Sequence, residues 1–85
     1  MRLLEFTEEA KKDLAKLEKS TARQVFSKLR WLVENFDSLS QEPLTGDLKG
    51  FYKLRIGEYR ALYTFNRTQF IVHFIRHRRE VYKTK

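Results

Sequence analysis

Phe51-Tyr52-Lys53-Leu54-Arg55-Ile56-Gly57-Glu58-Tyr59-Arg60-Ala61-Leu62-Tyr63-Thr64-Phe65 is the stretch whose reading decides the fold. Tyr52, Leu54 and Ile56 alternate with Phe51, Lys53 and Arg55, the period of a strand with one face buried. Gly57-Glu58 is a two-residue connection with glycine first, which suits a type II′ turn and returns the chain along Tyr59 to Phe65. A turn of that length fixes the register. Ile56 then faces Tyr59, Arg55 faces Arg60, Leu54 faces Ala61 and Lys53 faces Leu62. Opposed residues share a face, so Tyr52, Leu54, Ile56, Tyr59, Ala61 and Tyr63 form one surface suited to packing. Lys53, Arg55 and Arg60 emerge on the other. Like charges opposed across strands cost a few tenths to about 1 kcal/mol. No acidic residue on the hairpin's outer face balances these three, and a bridging anion is the simplest compensation. The alternative is that they only solvate an exposed face.

Downstream, Asn66 to Thr68 reads as a turn and Gln69 to Arg76 as a third, strongly apolar strand, which completes a meander. Upstream, Asp37 to Gly50 contains Ser38, Ser40, Pro43, Thr45, Gly46 and Asp47 and reads as an irregular loop. Before it, Val25, Phe26, Leu29, Leu32, Val33 and Phe36 recur at helical spacing. Thr21-Ala22-Arg23-Gln24 has the form of a capping box that would start this helix. Trp31 is expected in its core or at its edge. Phe6, Ala10, Leu14 and Leu17 mark an earlier helix, with Thr7 as N-cap and Glu8 and Glu9 where the helix dipole favours anions. Arg2 to Phe6 reads as a short first strand. The expected fold is therefore α+β: an N-terminal strand and an antiparallel helical hairpin packed on an antiparallel β-sheet. It forms a single domain over residues 1–85.

Composition narrows the function. The chain has no cysteine, so it has no disulfide framework, thiolate nucleophile or cysteine-based zinc site. Apolar residues at 41% and aromatics at 14% suffice for a packed core. Every apolar run is broken by charge well short of the roughly 18 residues that span a bilayer. No signal-peptide pattern opens the sequence, and a cytoplasmic location is expected. The net charge of +7 and the isoelectric point near 9.9 are those of a polyanion binder. Residues 1–49 hold nine basic and nine acidic side chains, whereas residues 50–85 hold nine basic ones against Glu58 and Glu80 alone. All the excess charge lies in the half that carries the hairpin.

The tail Arg76-His77-Arg78-Arg79-Glu80-Val81-Tyr82 follows the third strand directly. It can bring more guanidinium groups, which contact phosphate bidentately, and a ring that stacks on a base. His73 and His77 resemble an acid–base pair, but four residues along a strand separate them by roughly 13 Å, too far for one phosphodiester. Two histidines without a third ligand make a poor metal site. No phosphate-binding loop, dinucleotide motif or nucleophile elbow is present.

Three segments resemble the RelE/ParE toxin superfamily, and most specifically its RelE-like branch. Phe6-Thr7-Glu8-Glu9-Ala10-Lys11-Lys12-Asp13-Leu14 is similar to its strand-to-helix opening. Leu48 to Arg60 is similar to its central hairpin, and Ile75-Arg76-His77-Arg78-Arg79-Glu80-Val81-Tyr82 to the end of its last strand. The resemblance implies a RelE-like fold related to microbial ribonucleases, and the toxin of a type II toxin–antitoxin pair. Such a toxin cleaves mRNA in the ribosomal A site, without metal or other cofactor. It implies catalytic roles for Lys53, Arg55, Arg60, Arg78 and Tyr82, with Arg76, His77, Arg79 and Lys83 as further RNA contacts. Its implied partners are an acidic, RelB-like antitoxin and the ribosome. Arg55 replaces a lysine found in some members, Arg76 stands where many have glycine, and only three residues follow Tyr82.

RNA carries its own nucleophile, the 2′-OH, so a proton acceptor and charge stabilisation suffice. Lys53, beside Arg55 and Arg60, is the expected acceptor, because neighbouring like charge disfavours its ammonium form. Arg60 would hold the non-bridging oxygens, Arg78 the leaving 5′ oxygen, and Tyr82 the base. Two other readings share this fold: a ParE-like inhibitor of DNA gyrase acting through its helices and tail, and a catalytically silent member that binds RNA or antitoxin.

Overall fold

A computed structural model describes residues 2–39, 42–43 and 49–77. The chain runs β1 (Leu3–Phe6), α1 (Glu8–Ala15), α2 (Lys19–Glu34), a 3-10 turn (Phe36–Ser38), β2 (Glu42–Pro43), β3 (Tyr52–Ile56), β4 (Tyr59–Phe65) and β5 (Gln69–His77). The strands form one sheet in the order β1-β5-β4-β3-β2. This is the expected α+β architecture, with one refinement: the sheet is mixed, because β1 lies parallel to β5, Leu3 opposite Gln69 through Phe6 opposite Val72. Two strands separated by both helices and a meander have chain enough for the long connection that parallel pairing needs. The expected loop between Asp37 and Gly50 also contributes β2, whose backbone pairs antiparallel to β3 with position 42 opposite Lys53.

The hairpin forms in the expected register, with Arg55 opposite Arg60 and Ile56 opposite Tyr59. Gly57 has φ +59, and among the described residues none other than glycine has positive φ. That is the combination a type II′ turn requires. The Asn66 side chain holds the next turn by accepting from the N–H groups of Thr68 at 2.9 Å and Gln69 at 2.8 Å.

Thr7 caps α1 as expected, its hydroxyl oxygen accepting from Ala10 N–H at 3.1 Å. The start of α2 differs from expectation. The helix begins at Lys19 behind Glu18, with no side-chain cap, and Thr21 lies inside its first turn. The reason is the tightness of the connection. Leu17 N–H donates back to Leu14, and the Glu18 carbonyl already accepts from Ala22 N–H at 2.8 Å. The chain is therefore helical again before Thr21 can serve as a cap.

Ala10, Val25, Leu29 and Leu32 of the helices meet Ile56, Ala61, Tyr63, Phe70, Val72 and Ile75 of the sheet in one core. Each fully buried large side chain there contributes about 1.5–3 kcal/mol. Tyr52 and Leu54 pack against its border, so the apolar hairpin face is the buried one. Trp31 is not core: it is 44% exposed, with the Lys28 ammonium 4.6 Å above its ring. No helix among the described residues is long and apolar enough to cross a membrane.

β1 ends opposite Val72, which leaves the edge of β5 from His73 onward without a strand partner among the described residues. Bare edges invite foreign pairing, and α1 covers this one. The Thr7 hydroxyl donates to the His73 carbonyl at 3.1 Å, and Asp13 Oδ2 accepts from Ile75 N–H at 3.0 Å. Asp13 is the buried charged residue of the described chain, 7% exposed.

Candidate functional site

The outer face of the sheet, opposite the helices, is built in rows. Arg55 pairs with Arg60, and Arg60 pairs with Arg76, so three arginines cross three adjacent strands. At 4.7–4.9 Å between strands such a row spans roughly 10 Å. The next row is Lys53, Leu62 and Phe74. Clustering Lys53, Arg55 and Arg60 on one face follows the sequence expectation, and Arg76, expected to bring a further guanidinium to this part of the sheet, joins the row through the β4–β5 register.

The three arginines differ in their surroundings. Arg55 is exposed beside the turn, its Nε donating to the Gly57 carbonyl at 3.5 Å. Arg60, in the middle, lies down on the sheet with Nε and Nη1 shielded from solvent. Arg76, expected among the RNA contacts, is occupied within the fold: its guanidinium bonds Glu9, and its Nε donates to Asp13 Oδ2 at 3.0 Å. Burial alone would disfavour its charge. The Asp13 hydrogen bond and the attraction of Asp13 and Glu9 outweigh that, and its pKa is raised above the ordinary arginine value.

A β-bulge between Leu62 and Tyr63 of β4 gives β5 one extra residue, His73. Phe74 opposite Leu62 faces outward, and Val72 opposite Tyr63 faces the core. His73 between them also turns outward: its Nε2 meets the Thr64 hydroxyl at 2.8 Å, and its ring stands edge-on to Phe51 at 5.1 Å. Re-aiming a side chain is what bulges do beside functional sites. Beyond it, His77 pairs with Tyr59, ring to ring at 5.5 Å. Tyr59 shares the helix side with Ile56, so His77 points away from Lys53, Arg55 and Arg60, and the two histidines occupy opposite faces. Their separation as an acid–base pair is thus greater than strand spacing alone implied. Arg78, Arg79, Tyr82 and Lys83 lie outside the described residues.

Sequence reasoning missed Phe51, His73 and Phe74 as members of this face. The alternation Phe51, Lys53, Arg55 carried a signal for the first. For the other two, the bulge reverses the side-chain parity along β5, and nothing local announces it.

Burial lowers the pKa of His73 below the usual imidazole value. The folded protein therefore binds this proton less readily than the unfolded chain. Its contribution to stability is complete above pH about 6.5, the ordinary histidine value, and is lost as pH falls through the lower folded value. Urea midpoints are expected to decline from pH 7.5 to pH 5 in the wild type. His73→Gln, which keeps a hydrogen-bonding group for Thr64, should flatten that part of the profile. An unchanged decline in the variant would assign it to other groups.

Comparison with known proteins gives this geometry a context. Residues 4–82 match the family model described as ParE toxin of type II toxin-antitoxin system, parDE. The chain is 26% identical to a chain of the toxin–antitoxin complex RelBE2 from Mycobacterium tuberculosis, covering 89% of this chain and 90% of that one at a TM-score of 0.79. The archaeal RelE–RelB complex from Pyrococcus horikoshii gives 23% identity, 91% and 94% coverage and a TM-score of 0.67. The YoeB dimer from Staphylococcus aureus gives 20%, 89% and 95%, and 0.71; these last two show the shared fold alone. Comparison with curated proteins finds no match. With a family match over nearly its whole length and the sheet and helices of RelE-like structures, this chain belongs to the ParE toxin family in the RelE/ParE superfamily and is a toxin of a type II toxin–antitoxin system.

Proposed function

We propose that this toxin is a ribosome-dependent mRNA endonuclease, acting in the A site by attack of the RNA's own 2′-OH and inhibiting translation in the cytoplasm as a single domain. The observation that supports this reading most is the placement of Lys53, Arg55 and Arg60 on one sheet face, with Arg55 directly opposite Arg60. In the proposed reaction the 2′ oxygen–phosphorus bond forms and the phosphorus–5′ oxygen bond breaks. The products are a 2′,3′-cyclic phosphate and a 5′-OH. Lys53 takes the 2′-OH proton, the role that arginine, which does not deprotonate in proteins, cannot fill. Arg60 and Arg55 stabilise the charge growing on the non-bridging oxygens. Arg78 stabilises the leaving oxygen, which water protonates, and Tyr82 orients the base, both by their match to the family motif. No step requires a metal or another cofactor. Dependence on the ribosome follows, because a site without strong acid–base groups gains most from a substrate held ready for attack.

Primer extension on mRNA in translating ribosomes, with and without the protein, tests this. Breaks within A-site codons are expected; their absence overturns the reading. The ParE-like alternative, inhibition of DNA gyrase, draws on the half-exposed Phe26 and Trp31 of α2. Blocked supercoiling with translation unaffected would establish it.

The partner we propose is an acidic, amphipathic RelB-like antitoxin; the relatives from M. tuberculosis and P. horikoshii are themselves toxin–antitoxin complexes. Its polar contacts are placed near Lys53, Arg55, Arg60, Arg78 and Arg79, and its apolar contacts along the helices or an open sheet edge. Charge pairs are screened at a Debye length of roughly 3 Å in molar salt, whereas apolar burial is not. The complex is expected to survive 1 M salt on size exclusion, from the roughly 3 Å screening length there. Complete dissociation by about 0.5 M would make charge covering the dominant force.

A further inference from the structure

Phe51, His73 and Phe74 stand together on the outer face, opposite the side on which the described helices pack. Phe51 is 5.1 Å from the His73 ring at 82° and 6.0 Å from Phe74 at 53°, and His73 and Phe74 lie 6.5 Å apart at 45°. At these separations the rings touch and form one aromatic patch, with the Arg76 guanidinium 5.0 Å over the Phe74 ring, and all three residues are half-buried. Leu62 beneath them is 2% exposed, so the rings cover an apolar residue on this face. The patch borders the cations directly: Phe74 shares a row with Lys53 across Leu62, and the Arg55–Arg60 row is the next one along. Glu5, an acid on this face, sits at the far edge on β1, where the Gln69 amide donates to it at 3.0 Å, and position 42 of β2 opposes Lys53.

We propose that this aromatic patch is a nucleobase site, on which one unstacked base of a single-stranded RNA stacks while its phosphates run over Lys53, Arg55 and Arg60. Aromatic faces beside a cationic track are the two components of single-strand recognition: stacking holds bases, and charge holds backbone. The β-bulge supplies the geometry, because it puts His73 and Phe74, neighbours in sequence, on the same side of the sheet. Thr64 fixes the imidazole through Nε2 at 2.8 Å. Burial keeps that ring neutral near pH 7, so it meets a base edge as a hydrogen-bonding group rather than as a charge. The site rests on the RNA reading above and extends it from where the backbone lies to where a base is held.

The probe is a short single-stranded RNA with 2′-O-methyl riboses, which cannot be cleaved by 2′-OH attack, and with 2-aminopurine placed at successive positions. In wild-type protein one position is expected to lose fluorescence on binding through stacking. Phe51→Leu with Phe74→Leu keeps apolar cover over Leu62 and removes two π faces. This double variant should bind about five- to tenfold more weakly and lose the quenching. The slope of log K against log salt, which counts phosphate contacts, should stay the same. Arg55→Gln should do the reverse, lowering the slope by about 1 and keeping the quenching. Quenching and affinity unchanged in the double variant overturn the site, as does wild-type protein that quenches no position. Wild type that quenches the probe but cleaves no mRNA on ribosomes leaves the base site standing and removes the nuclease reading instead.

Discussion

Arg60→Ala is expected to slow mRNA cleavage on programmed ribosomes by about 10²–10³-fold, the usual consequence of deleting one fixed donor to a developing oxyanion. Arg60 is the middle residue of the arginine row, flanked by Arg55 on β3 and Arg76 on β5. Its Nε and Nη1 are shielded from solvent, and charge acts more strongly where water is excluded. Arg55 gives a built-in comparison. It is exposed at the turn, where water and salt screen it, and Arg55→Ala should cost no more than about tenfold. Arg60→Lys keeps the charge but not the planar fork, so it should recover part of the loss. Single-turnover cleavage at saturating toxin separates these cases, with thermal unfolding of each variant as the check on folding. Activity of Arg60→Ala within about threefold of wild type would remove Arg60 from transition-state stabilisation, given the far larger loss predicted for a fixed donor.

The second large effect concerns stability. Asp13→Ala is expected to lower the unfolding free energy by about 3 kcal/mol, because it leaves the Ile75 N–H without its acceptor and takes from Arg76 one of its two carboxylates. Asp13 Oδ2 accepts from Ile75 N–H and from Arg76 Nε, each at 3.0 Å. With a total stability of roughly 5–15 kcal/mol for a domain, that is a large fraction. Asp13→Asn retains an acceptor for the backbone N–H but not the charge, and should cost about 1.5–3 kcal/mol, the range for a hydrogen bond to a charged group. Pairing Asp13→Ala with Arg76→Met removes the guanidinium that then keeps Glu9 alone, and should restore part of the loss. Urea unfolding monitored by Trp31 fluorescence measures all three. A single Asp13→Ala variant within about 1 kcal/mol of wild type would mean that water replaces the carboxylate freely.

Arg76 joins these two arguments. Its position opposite Arg60 gives it a place in the cationic row, yet Asp13 and Glu9 hold its guanidinium. It anchors β5 to α1.

The hairpin was legible from sequence alone because everything that specifies it is local. Alternation over six residues, one glycine at φ +59 and a two-residue turn set which side chain opposes which, and the Arg55–Arg60 juxtaposition followed without a fold in hand. The same holds for Thr7, whose capping needs only residues three positions away. What tertiary structure decided is whatever depends on chain segments far apart in sequence. β1 lies parallel beside β5 because both helices intervene. Asp13 reaches Ile75 and Arg76, more than sixty residues on, because α1 covers the edge that β1 leaves bare. The bulge at Leu62/Tyr63 reverses the parity of β5, which places His73 with Phe51 and Phe74 on the cationic face and sends His77 to the other. A one-residue offset costs little locally and leaves no mark in composition or period. Only pairing with β4 fixes it, and it determines which aromatic groups stand beside the arginines.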